Sequence, residues 1–322
     1  MRVSVILCTY NRCESLRTAL ASVAVCRFPD SDSWEILVVD NNSKDLTPAV
    51  VEEFVQQYPD RFRYLFEPQP GKSHALNSGI QEARGDILAF MDDDVTVDPG
   101  WLQTLTNVLQ GGEFAGVGGR ILPERSFAPP AWLSMGNRYA LAPLAIFDLG
   151  TEAHPLHEPP FGTNMAFRKE MFVKYGGFRK DLGPRPGSEI RGEDTEFGDR
   201  VLLAGERLWY EPAAVVYHSL PANRLRREYF LKWWYDKARA DLRADPDFNK
   251  PRLRFAGAPL VFYRRLIAWA LRWMFSFEPA KRFSCKLKVW MKIAEISEAR
   301  RMLRDAHDTL EPTTHPVPHQ KV

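Results

Sequence analysis

Strand-like and helix-like segments alternate along the amino-terminal half of the chain, and this alternation limits the fold more than any other feature. "VSVILC" (Val3 to Cys8) is a β-branched, apolar run of the kind that fills a strand covered on both faces. "SLRTALASVAV" follows with Leu16, Leu20 and Val23 at helical spacing. "WEILVVD", "FRYLFE" and "GDILAFMD" then read as strands, with "LTPAVVEEFVQQY" and "SHALNSGIQEA" as helices between them. A strand recurs about every 25 to 30 residues, which predicts βα units and a mostly parallel sheet.

Beyond this half the pattern changes. Pro123 to Pro160 is rich in proline and aromatics and reads as loops draped over the sheet. "GTNMAFRKEMFVKYGGF" predicts a strand, a helix and a turn. "EDTEFGDRVLLAG" predicts a helix closed by Gly205. "RLWYEPAAVVYH" predicts a strand pair, or one strand bent at Pro212. From Arg224 the chain becomes helical, basic and tryptophan-rich. The expected division is residues 1–220 for the α/β domain, 221–305 for the helical extension and 306–322 for a disordered tail.

The net charge of +2 hides an asymmetry. Arg224 to Asp305 holds 21 Lys and Arg against 9 Asp and Glu, so the remainder is net acidic. A basic carboxyl-terminal third points to an anionic partner. The four cysteines, Cys8, Cys13, Cys26 and Cys285, have no zinc or disulfide spacing and read as reduced thiols. The apolar run at the start is too short for a signal peptide or a spanning helix. The expected compartment is the cytoplasm.

In open α/β sheets, ligands bind beyond the carboxyl ends of the strands. Three polar clusters fall at such ends: "CTYNR", "DNNS" and "MDDD". "CTYNRCES" contains no glycine, which excludes the usual dinucleotide turn, and no phosphate loop of the G-x-x-x-x-G-K-[ST] type exists. A nucleotide here would need another way to neutralise its phosphates. A divalent cation held by carboxylates supplies one, since Mg²⁺ and Mn²⁺ take hard oxygen ligands. On an extended segment Asp92 and Asp94 would point to one side and Asp93 to the other, so the first pair could share a metal. The competing reading is an aspartate-rich turn closing a strand, helped by Asp98-Pro99-Gly100.

Taken in order, "VSVILCTYNR", "ILVVDNNS", "ARGDILAFMDDD", "GTNMAFRK" and "GEDTEFGDRVLLAG" resemble the family 2 glycosyltransferases of the GT-A fold. The match runs from Val3 to His218. The resemblance implies an α/β, GT-A type fold with a mostly parallel central sheet, followed here by the helical basic extension. It also implies an inverting, metal-dependent transfer of sugar from a nucleotide-diphosphate donor, UDP-sugar favoured, to a hydroxyl of a glycan or lipid-linked acceptor. The setting it implies is cell-envelope or extracellular polysaccharide biosynthesis.

Residue by residue, the resemblance assigns Thr9, Tyr10 and Asn11 to the nucleotide base and ribose, Asp40 to the base, and Lys72 to the diphosphate. Asp94 matches the direct ligand of Mn²⁺ or Mg²⁺, with Asp92 and Asp93 toward ribose or metal-bound water and His218 as an additional ligand. Asn164, in "TNM" (Thr163 to Met165), matches the segment lining the donor sugar or acceptor. Asp194 matches the general base and Glu193 an acceptor-orienting group. Asp40 also has a lesser reading as a helix cap, and "EDTE" also reads as an acidic first helical turn. Two departures stand out: Cys8 occupies a position where proline is usual, and Ser126 to Pro160 matches nothing assignable.

"PLVFYRRLIAWALRWMFSF", residues 259–277, is apolar but carries Arg264, Arg265 and Arg272. At about 100° per residue these fall in one arc, leaving a wide face expected to hold Leu260, Phe262, Leu266, Ile267, Trp269, Leu271 and Phe275. This predicts peripheral contact with the inner face of a membrane, or a helix packed on the catalytic domain or a second subunit. No nucleic-acid motif is visible, so nucleic acid is not an expected partner. A sugar-phosphate nucleotidyltransferase would want a glycine-rich basic loop where "CTYNR" stands. A non-catalytic scaffold would have no use for both the aspartate triplet and Glu193-Asp194.

Overall fold

The computed structural model describes the chain except for residues 1, 29–32, 125–126, 135, 137–140, 188–189, 221, 246, 249–252 and 309–322. Most of the tail expected to be disordered therefore lies outside the described residues. The chain forms two compact units, one ending at Trp233 and one starting at Trp234.

The first unit opens with β1 (Arg2–Thr9), α1 (Cys13–Ala24), β2 (Ser33–Asp40), α2 (Thr47–Gln57), β3 (Phe62–Phe66), α3 (Lys72–Glu82) and β4 (Ile87–Asp92). These are the segments that the alternation of patterns predicts, and β1 to β4 are mutually parallel. The apolar runs of β1, β2 and β4 are nearly continuous because both faces of these strands are covered; Ile6, Ile36, Val39, Leu88 and Phe90 are buried, whereas β3 alternates half-buried and exposed positions after Phe62. The register decides the chemistry. Thr9 lies opposite Asp40, and Cys8 opposite Asp92, so the polar ends of three strands reach one sheet edge together.

The second half of the unit is mixed. It contains β5 (Val95–Val97), α4 (Trp101–Gln110), β6 (Gly116–Pro123), β7 (His154–Leu156), β8 (Asn164–Arg168), α5 (Lys169–Tyr175), α6 (Glu193–Leu203) and β9 (Leu208–His218). The spatial order is β3-β2-β1-β4-β8-β6-β9-β5, with β7 also on β9. β8 runs antiparallel between β4 and β6, while β6 and β9 are parallel. Of the two readings of "RLWYEPAAVVYH", the single bent strand is observed. Gly119 pairs Glu211 but Arg120 pairs Val215, which leaves Pro212 to Ala214 as a bulge where proline's missing N–H costs no ladder bond. A Cβ on Gly119 would stand 2.1 Å from the Ala214 carbonyl oxygen, so only glycine fits against the bulge.

α6 is anchored by aromatic packing: Phe197 stacks on Phe172 of α5 at 4.3 Å and meets Phe167 of β8 edge-on. Gly192, at φ 107°, lets the chain turn sharply into the helix, and Gly205, at φ 87°, follows its end as expected.

α7 (Arg227–Ala244) spans the boundary between the units, so the division falls inside this helix rather than at residue 220. Phe230, in its first turns, is buried against Trp132 of the first unit. The second unit adds β10 (Arg254–Phe255), β11 (Ala258–Pro259), α8 (Leu260–Met274) and α9 (Pro279–Asp308). Within it, Glu298 is buried and bonded by Arg239 at 2.7 Å and Arg243 at 2.6 Å, which ties α7 to α9. The apolar face expected on α8 is split. Phe262 packs into the α8–α9 core beside Ile296 and Ala299, with Leu266 half-buried at its edge. Leu260, Ile267, Leu271 and Phe275 are exposed. Apolar residues lie around most of this helix, so one set meets α9 and another meets solvent. Among the described residues no helix is long and apolar enough to cross a membrane.

Candidate active site

The loops after β1 and β2 are stitched together by backbone bonds. Asn41 N donates to the Thr9 carbonyl at 2.9 Å, Asn11 N to Ser43 Oγ at 2.9 Å, and Lys44 N to Asn11 Oδ1 at 2.6 Å. Asn11 and Asn42 both take the left-handed conformation, at φ 52° and 66°, which asparagine tolerates better than most residues. Asn11 thus shapes the loop, and Tyr10 beside it stands exposed at the rim. Asn41 extends the stitching to the loop before α3: its Nδ2 donates to the Gln69 carbonyl at 2.7 Å and its Oδ1 accepts from Gly71 N at 2.7 Å.

The aspartate triplet does not alternate as an extended strand would. β4 ends at Asp92, and Asp93 and Asp94 occupy a turn before β5. Asp92 accepts from Lys72 Nζ at 2.5 Å and Thr163 Oγ1 at 2.7 Å. Asp93 accepts from Thr9 Oγ1 at 2.8 Å and from Arg12 at 2.9 Å. The same Arg12 nitrogen reaches Asp94 Oδ2 at 2.9 Å, and Arg224 reaches that oxygen at 2.7 Å. In this arrangement Arg12 joins Asp93 to Asp94, and Asp92 turns to Lys72.

Three cations answer three carboxylates, which resolves the repulsion that the sequence raises. Burial would lift Asp94, but Arg224 and Arg12 beside it hold its carboxyl far below the usual range, and His218 adds to this only when its Nε2 is protonated. Burial likewise opposes ionisation of Asp92, and Lys72 overrides it. Asp93 is the exception: burial pushes it up to about 6 despite Arg12. Lys72 is itself kept charged, against the effect of burial, by Asp92 and Glu193.

His218 Nδ1 lies 2.7 Å from the Leu144 carbonyl, which can only accept, so Nδ1 carries the hydrogen. Nε2 then has a free lone pair, which accepts from Arg224 at 2.9 Å. Asp94 Oδ1 lies 3.3 Å from that nitrogen with no proton to share. With Arg224 turned away from Nε2, that lone pair and the Asp94 oxygen could take a cation between them. Among the described residues no group of three or more His, Cys, Asp or Glu side chains is arranged to hold a metal ion. Two protein ligands, with phosphate oxygens and water completing the set, are nevertheless what Mg²⁺-type sites commonly use.

Glu193 and Asp194 begin α6. Asp194 Oδ1 accepts from Thr195 N and Oδ2 from Gly162 N, each at 2.7 Å. Oδ1 also accepts a long bond from Thr195 Oγ1 at 3.4 Å, while Oδ2 keeps a further lone pair, so this anchoring fixes the carboxylate without exhausting it. The acidic first turn and a chemical role thus coexist. Glu193 is buried, with Lys72 at 3.9 Å; burial and the neighbouring Asp194 charge raise its pKa.

Two expected contact residues are packed inside instead. Asp40 is fully buried, accepting from Ser43 N and from Tyr64 Oη, each at 2.9 Å. Asn164 is also fully buried. Its Oδ1 accepts from Trp101 Nε1, and its Nδ2 donates to the carbonyls of Arg120 and Ala214, all at 2.8 Å. It pins β8 and α4 to the bulge of β9. Asn164→Leu strands those three partners, and thermal unfolding should report a loss of about 3 kcal/mol. Sequence reasoning left out Arg12 and Arg224, and placed Thr163 only within a segment. Arg12 stands in the quoted "CTYNR" and Thr163 in "TNM", whereas Arg224 lies 130 positions from Asp94 in a run of basic residues.

The family model described as "Glycosyl transferase family 2" matches residues 4–176. The chain is a member of that family. This glycosyltransferase is 27% identical over 234 residues to the succinoglycan biosynthesis protein ExoM of Rhizobium meliloti, covering 72% of this chain and 71% of that protein. It is 26% identical over 250 residues to the glucosyl-dolichyl phosphate glucuronosyltransferase of Haloferax volcanii, covering 75% and 78%. The glycosyltransferase also aligns with the mannosyltransferase PcManGT from Pyrobaculum calidifontis in complex with GDP-Man and Mn2+. The TM-score there is 0.57 at 20% identity, over 95% of this chain and 79% of the other. For S. aureus TarS 1-349 in complex with UDP the TM-score is 0.52 at 14% identity, over 99% and 94%. These likenesses show the fold, which is GT-A.

Proposed function

We propose that this glycosyltransferase moves a sugar, with inversion, from a nucleotide-diphosphate donor to a hydroxyl of a glycan or lipid-linked acceptor, in the building of envelope or extracellular polysaccharide. The observation that supports it most is Asp194, a carboxylate clamped by two backbone N–H groups at the start of α6. The acceptor oxygen forms a bond to the anomeric carbon as that carbon's bond to the phosphate oxygen breaks. Asp194 takes the hydroxyl proton, and the nucleoside diphosphate leaves with the bonding electrons. One base serves a single displacement.

Asp94 and His218 would hold Mn²⁺ or Mg²⁺, which when bound neutralises diphosphate charge. Asp92 stands apart, bonded to Lys72, and is read as a support for the lysine. The charge balance of the cluster agrees with this, because a divalent cation and a diphosphate enter together as a neutral pair. Arg12, Arg224 and Lys72 already lie on the aspartates and are placed to turn toward phosphate oxygens. Thr9, Tyr10 and Asn11 would border the nucleoside. Asp40 would reach the base only if Tyr64 gave way. A uridine donor is favoured on the family resemblance.

A panel of nucleotide sugars, each with Mn²⁺, tests this by thermal shift and donor hydrolysis. One diphosphate sugar should stabilise the protein well above the others, at about 2.7 kcal/mol when present at a hundred times its Kd. Pyrophosphate release from a nucleoside triphosphate and a sugar phosphate would instead make the protein a nucleotidyltransferase. Absence of any nucleotide-dependent shift would make it a scaffold.

A further inference from the structure

α8 carries a face that its own core does not use. Leu260, Ile267, Leu271, Met274 and Phe275 are between 41% and 69% exposed, and Phe277, just beyond the helix, is 85% exposed. At about 100° per residue, Met274, Ile267, Leu260 and Leu271 form one stripe about 60° wide. Arg264 follows at its edge and Phe275 next to that; Arg272 and Arg265 border the same side. Leu260 to Phe277 contains no acidic residue, so nothing within the segment answers the three arginines. Exposed Lys281 and Arg282 continue the charge into α9.

We infer that this face docks on an anionic lipid surface, with α8 lying in the headgroup plane. The apolar stripe would enter the acyl boundary while the arginines meet lipid phosphates. Charge complementarity selects this occupant over a second copy of the chain. A two-fold pairing through the same face would bring the same three arginines of each copy together, with only the exposed Glu278 beyond Phe277 to set against them. Spanning is excluded for this helix by its length and charge. The inference is independent of the transfer reaction, since it is read as partitioning and not as turnover.

The test is sedimentation of the full chain with vesicles of phosphatidylcholine plus phosphatidylglycerol, and with phosphatidylcholine alone. Wild type should partition to the anionic vesicles, and less so at high salt. The combined variant Ile267→Ser, Leu271→Ser, Met274→Ser should lose about tenfold or more in partitioning. These side chains are exposed, so its unfolding temperature should hold. Arg264→Gln, Arg265→Gln and Arg272→Gln should each cost about fivefold, from ~1 kcal/mol per charge near the surface. Failure of wild type to prefer anionic vesicles, or unchanged binding by both sets of variants, overturns the inference. So does a dimer seen by light scattering that the serine variant abolishes, because a second copy would then occupy the face.

Discussion

Asp194→Asn is expected to abolish sugar transfer, by about 10²- to 10⁴-fold, while nucleotide binding stays near that of wild type. Asparagine has nearly the same shape, but only one end of it can accept. Thr195 N and Gly162 N both donate to Asp194, so the amide –NH₂ must face one of those donors. That mismatch costs about 1–2 kcal/mol of stability, which makes it essential to measure binding and unfolding beside turnover. A loss confined to kcat identifies the base. Glu193 cannot stand in for it. Glu193 is buried, its Oε2 accepts from Gly192 N at 3.1 Å, and its Oε1 faces Lys72 at 3.9 Å, so both of its oxygens are turned to protein partners. Glu193→Gln should therefore cost less than Asp194→Asn. Turnover of Asp194→Asn within about tenfold of wild type would remove Asp194 from the role.

Much of this arrangement is legible in the sequence, and the illegible parts share a cause. Three of the four parallel strands can be read from Val3, Trp34 and Ile87 onward because strands covered on both faces are apolar nearly throughout, while β3, from Phe62, is an edge strand with open positions. Parallel register then carries "CTYNR", "DNNS" and "MDDD" to one edge without further information. The division of labour within the triplet is different. It depends on β4 stopping at Asp92, which is settled by Thr163 and Lys72 arriving from distant segments. Asp40 and Asn164 show the same limit from the other side. Each sits at a motif position that suggests ligand contact, yet Tyr64 or Trp101 closes over it, and no local pattern announces that. On α8 the apolar residues run around most of the helix, so only the presence of α9 decides that Phe262 turns in and Ile267 turns out.

Removing Asp94 should produce two separable effects, and their separation tests the metal assignment. Without metal, Asp94→Ala leaves Arg224 and Arg12 without their shared oxygen. Arg224 has a side chain only 17% exposed, so its loss of a partner should cost about 3 kcal/mol in unfolding free energy. Arg12, at 44% exposed, adds little. Asp94→Asn restores the shape and an oxygen for one guanidinium, and should recover part of that stability. The second effect is on cation linkage. His218 Nε2 would be the one remaining ligand of the pair now 3.3 Å apart, so Mn²⁺ should no longer increase the stabilisation given by the nucleotide, in either variant. In wild type, Mn²⁺ with the nucleotide should raise the unfolding temperature beyond either alone, and manganese titration by electron spin resonance should show one site that needs Asp94. Sugar transfer should fall by about 10³-fold, because the diphosphate would then leave without charge compensation. An Asp94→Ala protein with lowered intrinsic stability but an undiminished Mn²⁺-dependent shift would show that Asp94 serves only to hold Arg12 and Arg224, and that the cation binds elsewhere.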